Sequence, residues 1–203
     1  MFHYINSRDT QFKVISAAQV LNTIKGLPDF IIEYLKRNGD CVIIPNKIGD
    51  VIYSLTCRNI QGKKQFLKIG DVSHSLYGLG NLPEDFIYGT PLLLVEGNLD
   101  CEAMREIYPY TVASLTATLS TNQLQLISHL TDKVIIAYDS DDAGKDGYYI
   151  VRSKLTKLGM TVKKFNHAMN LHDAGDLLDL QIKDREEYDY LVRSYKNQIE
   201  SLL

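Results

Sequence analysis

From residue 92 onward, short apolar runs alternate with longer stretches whose apolar positions recur every three or four residues. That rhythm predicts strands at 92–95, 111–115, 133–138 and 161–165. Between them it predicts helices at 98–108, at 121–130 with Thr121 as cap, and at 143–158 with Gly159 past its end. Apolar strands separated by helices argue for a parallel sheet covered on both faces. Right-handed crossovers bring the C-terminal ends of such strands to one edge, where open α/β sheets place their ligands. A final helix is expected over 184–203, with Tyr188, Leu191, Tyr195 and Ile199 near one face.

The first ninety residues have a different pattern. Ser16 precedes apolar Ala17, Val20, Leu21 and Ile24, with Gly26 behind them, which predicts a short capped helix. Residues 28–37 predict a second, with Pro28 in the first turn and Gly39 beyond its end. Two strands follow at 41–45 and 51–58 around a turn at 46–50. In the second, Val51, Tyr53, Leu55 and Cys57 alternate with the residues between them. A third strand is expected at 65–69. Residues 70–90 hold Gly70, Gly78, Gly80 and Gly89, and a boundary is expected there. The division read from the chain is a small α+β subdomain at 1–90, an α/β domain at 91–183 and a C-terminal helix at 184–203.

Composition narrows the class. With 203 residues, 45% apolar and 23% charged, the chain can bury a core, and disordered or fibrous classes are excluded. Apolar runs such as 91–95 fall far short of the ~18 residues of a membrane span, so no membrane partner is expected. The charged start, 1–15, lacks the apolar segment of a signal peptide, which predicts a cytoplasmic location. Cys41, Cys57 and Cys101 are widely spaced and fit reduced thiols. The net charge of −3 divides into +2 over residues 1–90 and −5 over 91–203. Nucleic-acid binding is therefore not evident from total charge, although the first half can present a local basic strip.

The strand ends carry the chemistry. The first runs into Glu96-Gly97, with Asp100 beyond, and the third into Asp139-Ser140-Asp141. After the fourth comes His172-Asp173-Ala174-Gly175-Asp176. In a parallel sheet these acidic clusters converge on one edge, and Asp139 and Asp141 share a side while the chain is extended. Two carboxylates about 4 Å apart repel by roughly 4 kcal/mol at an effective dielectric of 20. Several together call for protonation or a cation, and oxygen donors of this kind suit Mg2+ or Mn2+. The alternative for each acid taken singly is a solvated loop residue or helix cap. Other motifs fail in detail. A calcium loop starting at Asp139 would have Ala143 and Ile150 at ligand positions, and Gly78-Leu79-Gly80 meets Pro83 in place of the third glycine of a dinucleotide fingerprint. No GxxxxGK[ST] is present, and the five histidines form no zinc pattern with the cysteines; His129 reads as helix surface or core.

VEGNLD at 95–100, YDSDDAG at 138–144 and HDAGDLL at 172–178 resemble the three acidic motifs of TOPRIM domains. The stretch 112–144 and LYGL at 76–79 are similar to DnaG-type primases of bacteria and phages. The resemblance covers roughly residues 40–180. It implies a TOPRIM-type parallel sheet with flanking helices, preceded by a small α+β subdomain. It further implies a primase catalytic core that makes short RNA primers on single-stranded DNA from ribonucleoside triphosphates. Under it Glu96 is a metal ligand or general acid/base, Asp139 and Asp141 are the metal-binding pair, Asp173 is a later metal-linked aspartate and Asp100 a supporting acid. Arg58, and Lys64 or Lys68, would grip template or nucleotide. Mg2+ or Mn2+ is the implied cofactor. A replicative helicase or a separate zinc-binding subunit is an implied partner, in a bacterial or virus-infected cell. Thr116-Ala117 stands where the family usually has Gly-Thr, and the basic segment before LYGL is shortened to 71–75. A TOPRIM nuclease and a non-catalytic replisome subunit are the competing readings.

Overall fold

A computed structural model of the chain describes residues 2–4, 13–15, 41–48, 51–59, 66–169 and 171–203. The chain divides into two compact units, Met1–Asp71 and Val72–Leu203. The first contains β1 (Phe2–Tyr4), β2 (Lys13–Ile15), β3 (Cys41–Ile48), β4 (Val51–Asn59) and β5 (Phe66–Gly70), in the sheet order β2-β1-β3-β4-β5. β1 runs parallel to β3, and the other neighbours are antiparallel. The expected turn at 46–50 is shorter than the sequence suggested. Pairing with β4 continues through Ile48 because a register shift at Asn46/Lys47 absorbs the irregularity. The helices expected at 16–26 and 28–37 lie outside the described residues.

The second unit is built on a four-stranded parallel sheet of β6 (Leu92–Val95), β7 (Thr111–Ala113), β8 (Lys133–Ile136) and β9 (Thr161–Lys164), ordered β7-β6-β8-β9. Between and after the strands come α1 (Asn98–Arg105), α2 (Thr121–Leu130), α3 (Asp142–Lys157), α4 (Asp176–Lys183) and α5 (Arg185–Leu202). Every residue of β6 is fully buried, as the unbroken apolar run requires of a central parallel strand. Leu92, Leu94, Val134 and Ile136 face a core completed by Ile127 of α2 and by Tyr148, Val151 and Leu155 of α3. The α2 cap is Ser120, one residue earlier than expected, because Ser120 and Gln123 exchange side-chain and backbone hydrogen bonds in a capping box. α1 stops at Arg105, short of the expected 108, where the Ile107 and Tyr108 N–H groups both turn back to the Met104 carbonyl. α4 was not anticipated, since its start is hidden in an Asp- and Gly-rich run.

The glycine-bearing segment 72–90 belongs to the second unit. Leu76 is wholly buried in its core, and Tyr77 exchanges two 2.9 Å backbone hydrogen bonds with Ala113 of β7. α5 buries Tyr188, Leu191, Tyr195 and Ile199, the four positions its periodicity selects. The Tyr195 ring meets Phe165 edge-on at 4.8 Å, and the Tyr188 hydroxyl donates to Glu106 Oε2 at 2.7 Å. No helix among the described residues is long and apolar enough to cross a membrane.

Candidate metal centre at the sheet edge

Strand order locates the crevice. The chain leaves β6 toward β7 on one side and leaves β8 toward β9 on the other. With right-handed crossovers, α1 then covers one face and α2 and α3 the opposite face. The loops that follow β6 and β8 diverge to opposite faces at this switch point, leaving the gap in which open α/β sheets hold ligands. Glu96 follows β6 directly, and Asp139 lies three residues past β8. The Ala137 N–H bonds to the Leu94 carbonyl at 2.8 Å, so both strand ends are held side by side up to the acids.

Local structure explains the placement of each side chain. Asp141 caps α3, its Oδ1 accepting from the Gly144 N–H at 2.7 Å, which leaves Oδ2 for other partners. A Cβ at Gly144 would run into the Asp139 carbonyl, so glycine is what lets the helix start against the Asp139 backbone. Asp173 Oδ1 accepts from the Asp176 N–H at 3.0 Å, and Asp176 Oδ2 accepts from the His172 N–H at 2.8 Å. Ser140 ties the β8 loop to this turn, its N–H and hydroxyl both donating to the His172 carbonyl, at 3.0 and 2.9 Å. Glu96 is braced through its own carbonyl, which accepts from the Leu115 N–H at 2.9 Å. Leu115 holds a φ of 61° to make that contact, a left-handed conformation that costs about 1–2 kcal/mol in a branched residue.

The acids converge. One ligand atom from each of Asp139, His172 and Asp173 lies within 4.8 Å of the others. Asp141 joins through His172, whose Nε2 is 3.5 Å from Asp141 Oδ2 and whose Nδ1 is 3.5 Å from Asp173 Oδ2. Burial, with the charges of Asp100, Glu96 and Asp173 added, pushes the Asp139 carboxyl up to about 7, against an opposing effect of His172. Glu96 also acts on Asp100 and Tyr138, which puts its charge in the same crevice. Asp100 is engaged by the backbone of two loops. It is buried, its Oδ2 accepts from Gly97 N–H at 2.9 Å and its Oδ1 from Gly175 N–H at 2.8 Å. Both oxygens are thus occupied in clipping the first acidic loop to the third. Burial first, then the Asp173 charge, push its carboxyl up to about 6.

The donor set fits a hard divalent cation. Cis and trans ligand atoms on an octahedral ion with ~2.1 Å bonds lie about 3 to 4.2 Å apart, so a cluster spread over 4.8 Å would have to close up by more than half an ångström around it. Carboxylate repulsion of the kind that raises Asp139 is what such an ion relieves. Of the expected cationic contacts, Arg58 lies in β4 of the first unit, paired with Val42 and Phe66, and Lys68 in β5, paired with Thr56. Their positions share one face of that sheet. Their side chains lie outside the described residues, as does all of Lys64. Sequence reasoning passed over His172, Ser140 and Leu115. The only signal for the first was its place beside Asp173, and nothing in the pattern marked the other two.

The Toprim-like family model matches residues 93–178. Over 121 residues the chain is 31% identical to a DNA primase of Haemophilus influenzae, covering 59% of this chain and 18% of that protein. Over 80 residues it is 38% identical to a DNA primase of Escherichia coli K12, covering 37% of this chain and 14% of that protein. The crystal structure of the zinc-binding and RNA polymerase domains of the Aquifex aeolicus primase matches at a TM-score of 0.60 and 26% identity, over 86% of this chain and 43% of that one. The chain spans less than a fifth of the length of these curated relatives. Residues 93–178 are therefore similar to Toprim-like domains, in a chain that resembles part of the DNA primases.

Proposed function

We propose that this chain is a primase catalytic core that joins ribonucleotides into short primers on a single-stranded DNA template. The observation that carries the reading is the gathering of Asp139, His172 and Asp173 at the switch point, with the Asp139 carboxyl pushed up to about 7 by burial and by the charges of Asp100, Glu96 and Asp173. Glu96, Asp139, Asp141 and Asp173 would hold Mg2+ or Mn2+. Such an ion, held there, would supply charge neutralisation for a triphosphate and for the leaving pyrophosphate as a primer 3′-hydroxyl attacks the α-phosphorus. Asp139 gives up its proton to present a full carboxylate. Asp100, clipped to Gly97 and Gly175, keeps the two acidic loops in register. Arg58 with Lys64 or Lys68 would hold template or triphosphate, as cationic grooves do for single strands. Single-stranded DNA and ribonucleoside triphosphates are the proposed substrates, a replicative helicase or zinc-binding subunit a proposed partner, and the cytoplasm the proposed location.

The test is incubation with single-stranded DNA, labelled ribonucleotides and Mg2+ or Mn2+, followed by sizing of the products. Short ribonucleotide products that disappear in Asp139→Asn, with the circular dichroism spectrum unchanged, are the expected result. Cleavage of nucleic acid without incorporation would move the assignment to a nuclease. Full synthesis by Asp139→Asn would remove the mechanism.

A further inference from the structure

His172 is placed for more than a turn. Its carbonyl is held by the N–H and hydroxyl of Ser140, and its N–H by Asp176 Oδ2, so the backbone is pinned from both sides. The ring stands half-exposed between two carboxylates, one 3.5 Å from each nitrogen. One of its nitrogens falls within the same 4.8 Å group as Asp139 and Asp173 oxygens. A pinned backbone and an imidazole set among carboxylates make a mixed nitrogen and oxygen donor set, whereas the carboxylates alone would offer only oxygen.

We infer that His172 is a nitrogen ligand that biases this centre toward Mn2+ and related transition ions over Mg2+. The inference rests on the metal-binding reading of the same site. Mn2+ gains less from imidazole than the later first-row ions do and also accepts oxygen donors, but Mg2+ gains least, because it takes oxygen donors, demands near-ideal octahedral geometry and keeps its waters. A nitrogen donor at this place therefore adds affinity for Mn2+ and little for Mg2+. The rival role is a charged bridge between Asp141 and Asp173. A bridge acts on charge alone, so its removal alters the affinity for both ions alike.

Calorimetric titration of the full chain with MnCl2 and with MgCl2 distinguishes these roles, using the unaltered protein, His172→Ala and His172→Gln. Pulsed electron paramagnetic resonance of bound Mn2+ supplies a readout independent of activity. We expect Mn2+ affinity to fall by about tenfold or more in both variants while Mg2+ affinity stays within about twofold. A nitrogen hyperfine coupling is expected in the unaltered protein and absent from both variants. Equal shifts for the two ions, no shift for either, or no nitrogen coupling in the unaltered chain would overturn the role of His172 while leaving the metal centre standing. Failure of the unaltered chain to bind either ion would defeat the metal reading itself, and this inference with it.

Discussion

Asp139 and Asp100 sit in one acidic cluster and answer its repulsion differently. Burial first, then neighbours of its own sign, raise the Asp139 carboxyl to about 7, so without an ion it holds a proton near neutrality. Asp100 is also raised, to about 6, yet two backbone N–H groups favour its charged form. Replacing Asp100 by Asn leaves one of those N–H groups without its carboxylate acceptor. We expect a loss of about 1–3 kcal/mol in stability, together with weaker metal binding as the 173–175 turn loosens. Chemical denaturation paired with calorimetric metal titration reads both effects. Unchanged stability in Asp100→Asn would mean that the clip carries no energy. Gly97 belongs to the same device, since a Cβ there would collide with the Asp100 carboxylate.

Among the elements, α2 does more than cover the sheet. Gln123 is 1% exposed, and its Nε2 lies 3.0 Å from the Val72 and Ser75 carbonyls and 2.8 Å from the Ser114 carbonyl. The Ser120 hydroxyl donates to the Ser73 carbonyl at 2.6 Å. The cap of one helix thereby fastens the 72–75 segment to the end of β7, next to the strained Leu115. Gln123→Leu keeps an apolar stem but strands buried carbonyls, and a loss of about 2–3 kcal/mol is expected. Metal affinity should change less than stability, because the joint meets Glu96 at its backbone carbonyl, through the Leu115 N–H. A thermal melt and a Mn2+ titration on the same sample check the separation. The helix start was legible to within one residue, with Thr121 read as the cap in place of Ser120. Its hold on residues 72–75, some 48 positions earlier in the chain, was not, because local sequence carries no record of distant partners.

For the whole molecule, the acidic edge couples protonation and cation binding to folding. The folded chain holds the Asp139 and Asp100 carboxyls at about 7 and about 6, both raised from 3.8. Between those limits the folded state binds protons that the unfolded state has released. The stabilising contribution of these groups is therefore full below about pH 4 and is lost as pH rises through 6 to 7. Melting of the metal-free chain at pH 5 and pH 8 should show this contribution lowering the midpoint at the higher pH. Saturating Mn2+ should raise the midpoint most at pH 8, because an ion that binds only the folded state stabilises it most where the carboxylates are ionised. Asp139→Asn should flatten the metal-free pH dependence.

The alternation of apolar runs and helical periods determined the parallel sheet, because burial on both faces demands unbroken apolar strands and each crossover demands a helix. It likewise determined which face of α5 is buried and that three acidic loops follow strand ends. The order β7-β6-β8-β9 was decided by tertiary structure alone, and it is this order that puts Glu96 and Asp139 on either side of the switch point. The same holds for the Asp100 clip, the Leu115 conformation and the seat of His172. Each depends on atoms tens of residues apart meeting within hydrogen-bond range, and periodicity along a chain reports only which face a residue takes, not whom it meets there.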